Sequence, residues 1–178
     1  AVGGVDFDPT PNTMTIHISP VNDAPTGANN TRSTLQGHSC VFAVADFGFA
    51  DPFDIPSNGL LAVRIMTLPA AGTLTCNGTP VTAGQYLAAS DIAEGALAFL
   101  PTGEESGLPY AAFSFQVQDD GDSANGGTNL NPTANTMTIH VTPINHAPTG
   151  SDFTKTTPED IPCVFTAADF GFADLQDY

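Results

Sequence analysis

The chain has 178 residues, enough for one ordinary domain and part of another. Its 19 acidic residues against three Lys and Arg give a formal net charge of −16. Affinity for nucleic acid and attraction to anionic lipid both depend on Lys and Arg, so these two partner classes are excluded. No run of 18 apolar residues occurs, so no membrane insertion is expected. The carboxylates are therefore either a solvated surface or clusters that hold a hard cation.

The predicted elements are short strands separated by turns. Polar and apolar residues alternate over residues 13–18, 62–68, 112–118 and 136–141, as in half-buried strands. Turn sequences such as Asn77-Gly78 lie between these runs, and residues 90–94 predict one helical turn with Ser90 as its N-cap. The proline-rich residues 143–148 read as a linker. The pattern predicts an all-β sandwich.

The chain repeats itself with an offset of 123 residues. Residues 12–17 recur as 135–140 without a change, and of the 55 overlapping positions 30 are identical. Such self-similarity is typical of tandem repeats. We therefore expect a longer array, in which residues 1–23 are the last strand and linker of one repeat, 24–147 are a complete repeat, and 148–178 open the next.

Four short motifs, in order along the repeat, suggest a family. They are Val-Asn-Asp-Ala-Pro at 21–25, Asp-Pro-Phe-Asp at 51–54 with Asn58-Gly59 after it, Asp-Ile-Ala-Glu-Gly-Ala-Leu-Ala-Phe at 91–99, and Val-Gln-Asp-Asp-Gly at 117–121. Together they resemble the cadherin-like repeats of giant bacterial surface adhesins and the related chondroitin-sulfate-proteoglycan type repeat. The resemblance implies Ig/cadherin-like Greek-key β-sandwich repeats in a tandem array.

The same resemblance implies calcium at the linkers, where acidic motifs of neighbouring repeats meet. Matched residue by residue, the first junction would use Asn22, Asp23, Asp51, Asp54 and Asp119, and the pair Glu104 and Glu105 would face the second junction. Ca²⁺ takes six to eight oxygen ligands, which such residues supply. The alternative is that Asn22 and Asp23 only form a turn.

The second junction departs from this pattern. His146 stands where the first linker has Asp23, and imidazole is a poor calcium ligand. Gln36 stands where the next repeat has Glu159, the early acidic residue of the family. The two junctions are therefore not equivalent, and the second is expected to be the weaker calcium site.

The three cysteines leave three arrangements open. Cys40 and Cys76 fall within one repeat, and a disulfide between them is the favoured prediction, since an oxidising exterior permits it. Alternatively, all three cysteines are small buried thiols. In the third arrangement Cys163, the copy of Cys40, pairs with a Cys76 of a neighbouring repeat or chain.

The expected function is structural rather than enzymatic. No zinc-binding His pair and no nucleophile elbow is present in the sequence. We expect a secreted, cell-surface module of an extracellular fibre, stalk or adhesin. Its partners would be neighbouring copies of the repeat, in the same chain or by strand donation between subunits. The alternative is a carbohydrate- or surface-binding adhesion module, although the chain has no Trp and only three Tyr.

Overall fold

The computed structural model describes residues 3–8 and 10–174. Within this part of the chain, nine strands form two sheets. The strands are β1 (Asn30–Leu35), β2 (Cys40–Val41), β3 (Leu60–Ile65), β4 (Thr73–Cys76), β5 (Thr79–Pro80), β6 (Tyr86–Ala88), β7 (Leu97–Leu100), β8 (Gly107–Asp119) and β9 (Asn135–Thr142). One α-helix, α1 (Ala89–Ala93), and three short 3-10 helices (Val44–Phe47, Ala124–Gly126, Ala167–Phe170) complete the elements. The prediction of a mostly β, two-sheet fold is confirmed.

The two sheets have different sizes. The larger has the strand order β1-β9-β8-β3-β6 and the smaller β2-β7-β4-β5. All pairs are antiparallel except β1 with β9, which run parallel. Strand β9 lies inside the larger sheet, between β1 and β8, so it has a hydrogen-bonded neighbour on each side.

One hydrophobic core joins the inner faces of both sheets. Alternation along β9 turns Met137, Ile139 and Val141 inward, and all three are fully buried. Phenylalanine rings pack edge to face in this core, for instance Phe47 of the first 3-10 helix against Phe115 of β8, with ring centroids 4.9 Å apart. Burial of this apolar surface is the main favourable contribution to the fold.

Two predicted elements differ from the structure. Residues 13–18 form no strand, and their apolar side chains are exposed, because the described chain supplies no β1-type and β8-type strands around them. Helix α1 has Ala88 as its N-cap, two residues before the predicted Ser90, and it has no side-chain capping bond. The chain passes directly from β6 into α1, so the end of the strand sets the start of the helix.

None of the helices in the described ranges has the length and apolar character needed to cross a membrane.

Candidate cation site at the first linker

The first linker, residues 20–25, is attached to one end of the sandwich by side-chain hydrogen bonds. The amide Nδ2 of Asn22 donates to the carbonyl oxygen of Thr128 at 2.7 Å and to Oδ1 of Asp119 at 3.2 Å. The backbone N–H of Asp23 donates to Oδ2 of Asp54 at 2.9 Å. The linker is therefore tied to two separate loops of the repeat that follows it.

Three parts of the chain bring the acidic residues to this end. Asp119 is the last residue of β8, Asp51 and Asp54 lie in the loop before β3, and the linker packs against both. Glycine is needed at position 121, since a Cβ there would lie 1.7 Å from Oδ1 of Asn22. All five residues predicted for the first junction thus lie at the same end of the sandwich.

Asp119 is the most deeply placed of these carboxylates, with no exposed surface. Burial raises its pKa above the ordinary value, and the nearby charges of Asp51 and Asp54 raise it further. Hydrogen bonds from the backbone N–H of Gly121, at 2.8 Å, and from Asn22 lower the pKa and offset part of that effect. The charged form of such a buried carboxylate is stabilised by a positive charge close to it.

Asp51 has a buried oxygen with no hydrogen-bond donor. The residue is 6% exposed, and its Oδ2 accepts from the backbone N–H of Asn58 at 2.5 Å. Its Oδ1 is buried and has no hydrogen-bond partner. An unsatisfied buried acceptor is costly, and a cation is one group that would satisfy it.

The types of residue at this end of the sandwich suit a hard cation, but their side chains are not arranged around a common centre. Carboxylates of Asp51, Asp54 and Asp119 are the oxygen ligands that Ca²⁺ prefers. Within residues 3–8 and 10–174, however, no group of three or more His, Cys, Asp and Glu is arranged to hold a metal ion. A cation at this place would require the carboxylates to turn toward a common centre and Asp119 to exchange its bond with Asn22.

An open groove runs beside this cluster. Its volume is about 600 Å³, and it is bounded by the linker on one side and by the loop before β3 on the other. Phe53 and Ile55 lie on the loop side and are largely exposed. The end of the sandwich that carries the acidic residues is therefore also apolar at its surface.

Glu104 and Glu105 do not join the first site. Both lie between β7 and β8, near the second linker, residues 143–148. Oε2 of Glu104 lies 3.6 Å from Nε2 of His146, and Oε2 of Glu105 accepts a bond from the Tyr110 hydroxyl at 2.8 Å. Gln36, which is almost fully buried, donates from Nε2 to the Glu104 carbonyl oxygen and accepts at Oε1 from the backbone N–H of Ile144 at 2.9 Å.

The second linker is thus attached to the sandwich by the side-chain amide of Gln36 and by the contact between Glu104 and His146. Gln36 and Asn58 are not among the residues predicted to bind calcium, although the side-chain amide of Asn58 donates to Oδ1 of Asn22 in the first linker. The signal for Gln36 was its alignment with Glu159 in the next repeat, and the signal for Asn58 was its position after the acidic loop.

The cysteines are free thiols in this structure. Cys40 on β2 pairs with Phe99, and Cys76 on β4 pairs with Leu97, so β7 lies between them. Two strand spacings correspond to about 10 Å, whereas a disulfide requires Cα atoms within about 7 Å. The predicted Cys40–Cys76 bridge is therefore absent here, and its formation would require β7 to move. Burial raises the pKa of the Cys76 thiol, which disfavours the reactive thiolate.

Neither the family models nor the curated protein sequences give a match to this chain, so the site is interpreted from its own geometry.

Proposed function

We propose that this chain is a structural repeat module of an extracellular fibre, stalk or giant adhesin, of the cadherin-like type with Greek-key topology. The internal repeat of 123 residues and the two-sheet sandwich within it support this proposal. In such a module each sandwich is a spacer, and the linkers determine whether the array bends. The strongly acidic composition suits a soluble, exposed surface.

We further propose that calcium stiffens the first linker. The observation that carries this is the buried, unpartnered Oδ1 of Asp51, beside the fully buried Asp119 that holds Asn22. A cation bound by Asp51, Asp54 and Asp119 would join the loop before β3, the end of β8 and the linker through one charge. The linker would then lose its freedom to hinge.

Thermal unfolding of the full chain in EDTA and in millimolar calcium tests this function. A ligand that binds only the folded state stabilises it, by about 2.7 kcal/mol when its free concentration is 100 times Kd. We expect calcium to raise the Tm of the native chain and to have little effect on Asp54→Asn. Glu94→Gln is the matched control, since Glu94 is an exposed carboxylate on the turn after α1.

Equal Tm values in EDTA and calcium would contradict the calcium proposal. An equal loss of the calcium effect in Asp54→Asn and Glu94→Gln would show only a general charge effect, which also contradicts it.

A further inference from the structure

The chain contains one strand sequence in two very different environments. Residues 12–17 and 135–140 are identical. In β9 the apolar side chains Met137, Ile139 and Val141 are each 0% exposed, whereas their copies Met14, Ile16 and Ile18 are 87%, 78% and 90% exposed. Three apolar side chains in one alternating row are thus left in water.

The structure of β9 shows what this sequence binds when it is buried. Met137 lies opposite Asn30 on the parallel strand β1 and opposite Phe113 on the antiparallel strand β8. Ile139 is likewise placed between both neighbours, so the strand fills a slot with hydrogen bonds on each side. The side chain of Asn29 adds a bond to this strand, accepting from the backbone N–H of Thr136 at 2.8 Å.

We propose that residues 12–19 form the β9-type strand of another copy of this repeat, between a β1-type and a β8-type strand of that copy. The interaction surface is the row Met14, Ile16 and Ile18, and its partner is a sandwich of this repeat type that lacks its own last strand. This inference rests on the proposed tandem array. It specifies that the last strand of one repeat leads directly into the linker before the next repeat.

A second copy of the chain as it stands is a poor partner for this strand. Its slot already holds β9, so insertion of residues 12–19 would expose Met137, Ile139 and Val141 in exchange for three similar side chains. The apolar area buried would hardly change, while association would still cost translational and rotational freedom. The partner is therefore a sandwich completed by residues 12–19 themselves, the preceding repeat of the array.

The second linker specifies one more contact of that partner. The backbone N–H of Ile144 donates to the side-chain oxygen of Gln36 in the repeat that Ile144 leaves. Val21 is the copy of Ile144. The preceding repeat therefore presents a Gln or Glu side-chain oxygen to the N–H of Val21.

The first test uses two matched substitutions in the full chain. Ile139→Asp places a carboxylate in the core and should abolish cooperative unfolding of the sandwich. Ile16→Asp makes the same change in the exposed copy and should leave the Tm within about 2 °C of the native value, because surface substitutions rarely change stability. A large loss of stability in Ile16→Asp would show that residues 12–19 already belong to the sandwich of this chain, and would overturn the proposal.

The second test adds the missing partner, by placing a copy of residues 24–134 directly before residue 12 of the chain. We expect a second cooperatively folded sandwich, with amide exchange at residues 13–18 slowed by about 100-fold or more, because these amides would then open only with the added sandwich. In this extended chain, Ile16→Asp should unfold the added sandwich and leave the original one folded, whereas Ile139→Asp should do the reverse. The substitutions Ile18→Val and Ser19→Thr together match the β9 sequence and serve as the positive control.

An added segment that stays unfolded, or one that stays folded with Ile16→Asp, would overturn the proposal. Both results are independent of calcium, so they are distinct from failure of the linker site.

Discussion

At the scale of single residues, the first linker is attached to a buried carboxylate, that of Asp119. Because the pKa of Asp119 is raised on folding, the folded state binds this proton more readily than the unfolded state does. The contribution of Asp119 to stability therefore falls as the pH rises from 3.8, the ordinary pKa of this side chain, through the raised pKa. Above the raised pKa and without a cation, the ionised side chain destabilises the sandwich.

Asp119→Asn removes this charge and keeps an oxygen that can accept from the backbone N–H of Gly121. In EDTA at pH 7 we expect the variant to have a higher Tm than the native chain, and a flatter dependence of Tm on pH between 4 and 7. In calcium the order should reverse, because the variant lacks a ligand. Calorimetry at several pH values measures both effects, and a lower Tm in EDTA would contradict the assignment of Asp119 as a strained carboxylate.

At the scale of elements, two glycines in turns of the smaller sheet allow the cost of backbone strain to be measured apart from the cost of a packing clash. Gly72, just before β4, has φ +75°, and Gly78, between β4 and β5, has φ +74°. A Cβ at Gly72 would lie 2.3 Å from the ring of Phe99, whereas a Cβ at Gly78 would have no atom of the described residues within 4 Å apart from those of Gly78 and its two chain neighbours. The two glycines therefore have nearly the same φ, but only Gly72 lacks room for a side chain.

Gly78→Ala should cost about 1–2 kcal/mol, the ordinary penalty of a left-handed conformation. Gly72→Ala should cost a further ~1–3 kcal/mol, because the methyl group collides with a fully buried ring. Urea unfolding of both variants measures the difference. Equal losses of stability would show that the turn before β4 adjusts freely and that Phe99 is not held tightly.

Three of the nine strands in the described residues could be predicted from the sequence, because alternation of polar and apolar residues is typical of a half-buried strand. Residues 62–68, 112–118 and 136–141 all overlap observed strands, β3, β8 and β9. The 3-10 helix Val44–Phe47 could not be found in this way, since it depends on Asp46 accepting from the backbone N–H of Ala43 at 2.8 Å. The parallel pairing of β1 with β9 was also hidden, because it joins strands about 100 residues apart.

The sequence indicated which acidic residues lie near the first linker, but not which contacts they make. The acidic residues could be named because they lie in short acidic segments at the linker, in a loop and at the end of a predicted strand. Which oxygen lacks a donor, and that Gln36 holds the second linker, depends on how three loops meet in space. Side-chain networks of this kind leave no periodic signal in a sequence.

At the scale of the whole molecule, the described residues on both sides of the sandwich look like parts of further sandwiches. Phe165 and Phe170, after the second linker, are more than half exposed, whereas their copies Phe42 and Phe47 are buried in the core. The same contrast holds for residues 12–19 before the first linker. A repeat array explains both exposures by one cause, and the prediction that neighbouring copies are the partners of this chain remains a proposal.

We propose that the linkers join such sandwiches into a stiff rod. Small-angle X-ray scattering of the extended chain, with its two sandwiches on either side of residues 20–25, measures this most directly. In calcium we predict the scattering of a straight rod with one well-defined maximum length. In EDTA, and with Asp54→Asn in calcium, we predict a shorter mean length and a broader distribution of distances. Identical curves in calcium and EDTA, or two sandwiches packed side by side, would show that calcium does not stiffen the linker into a rod.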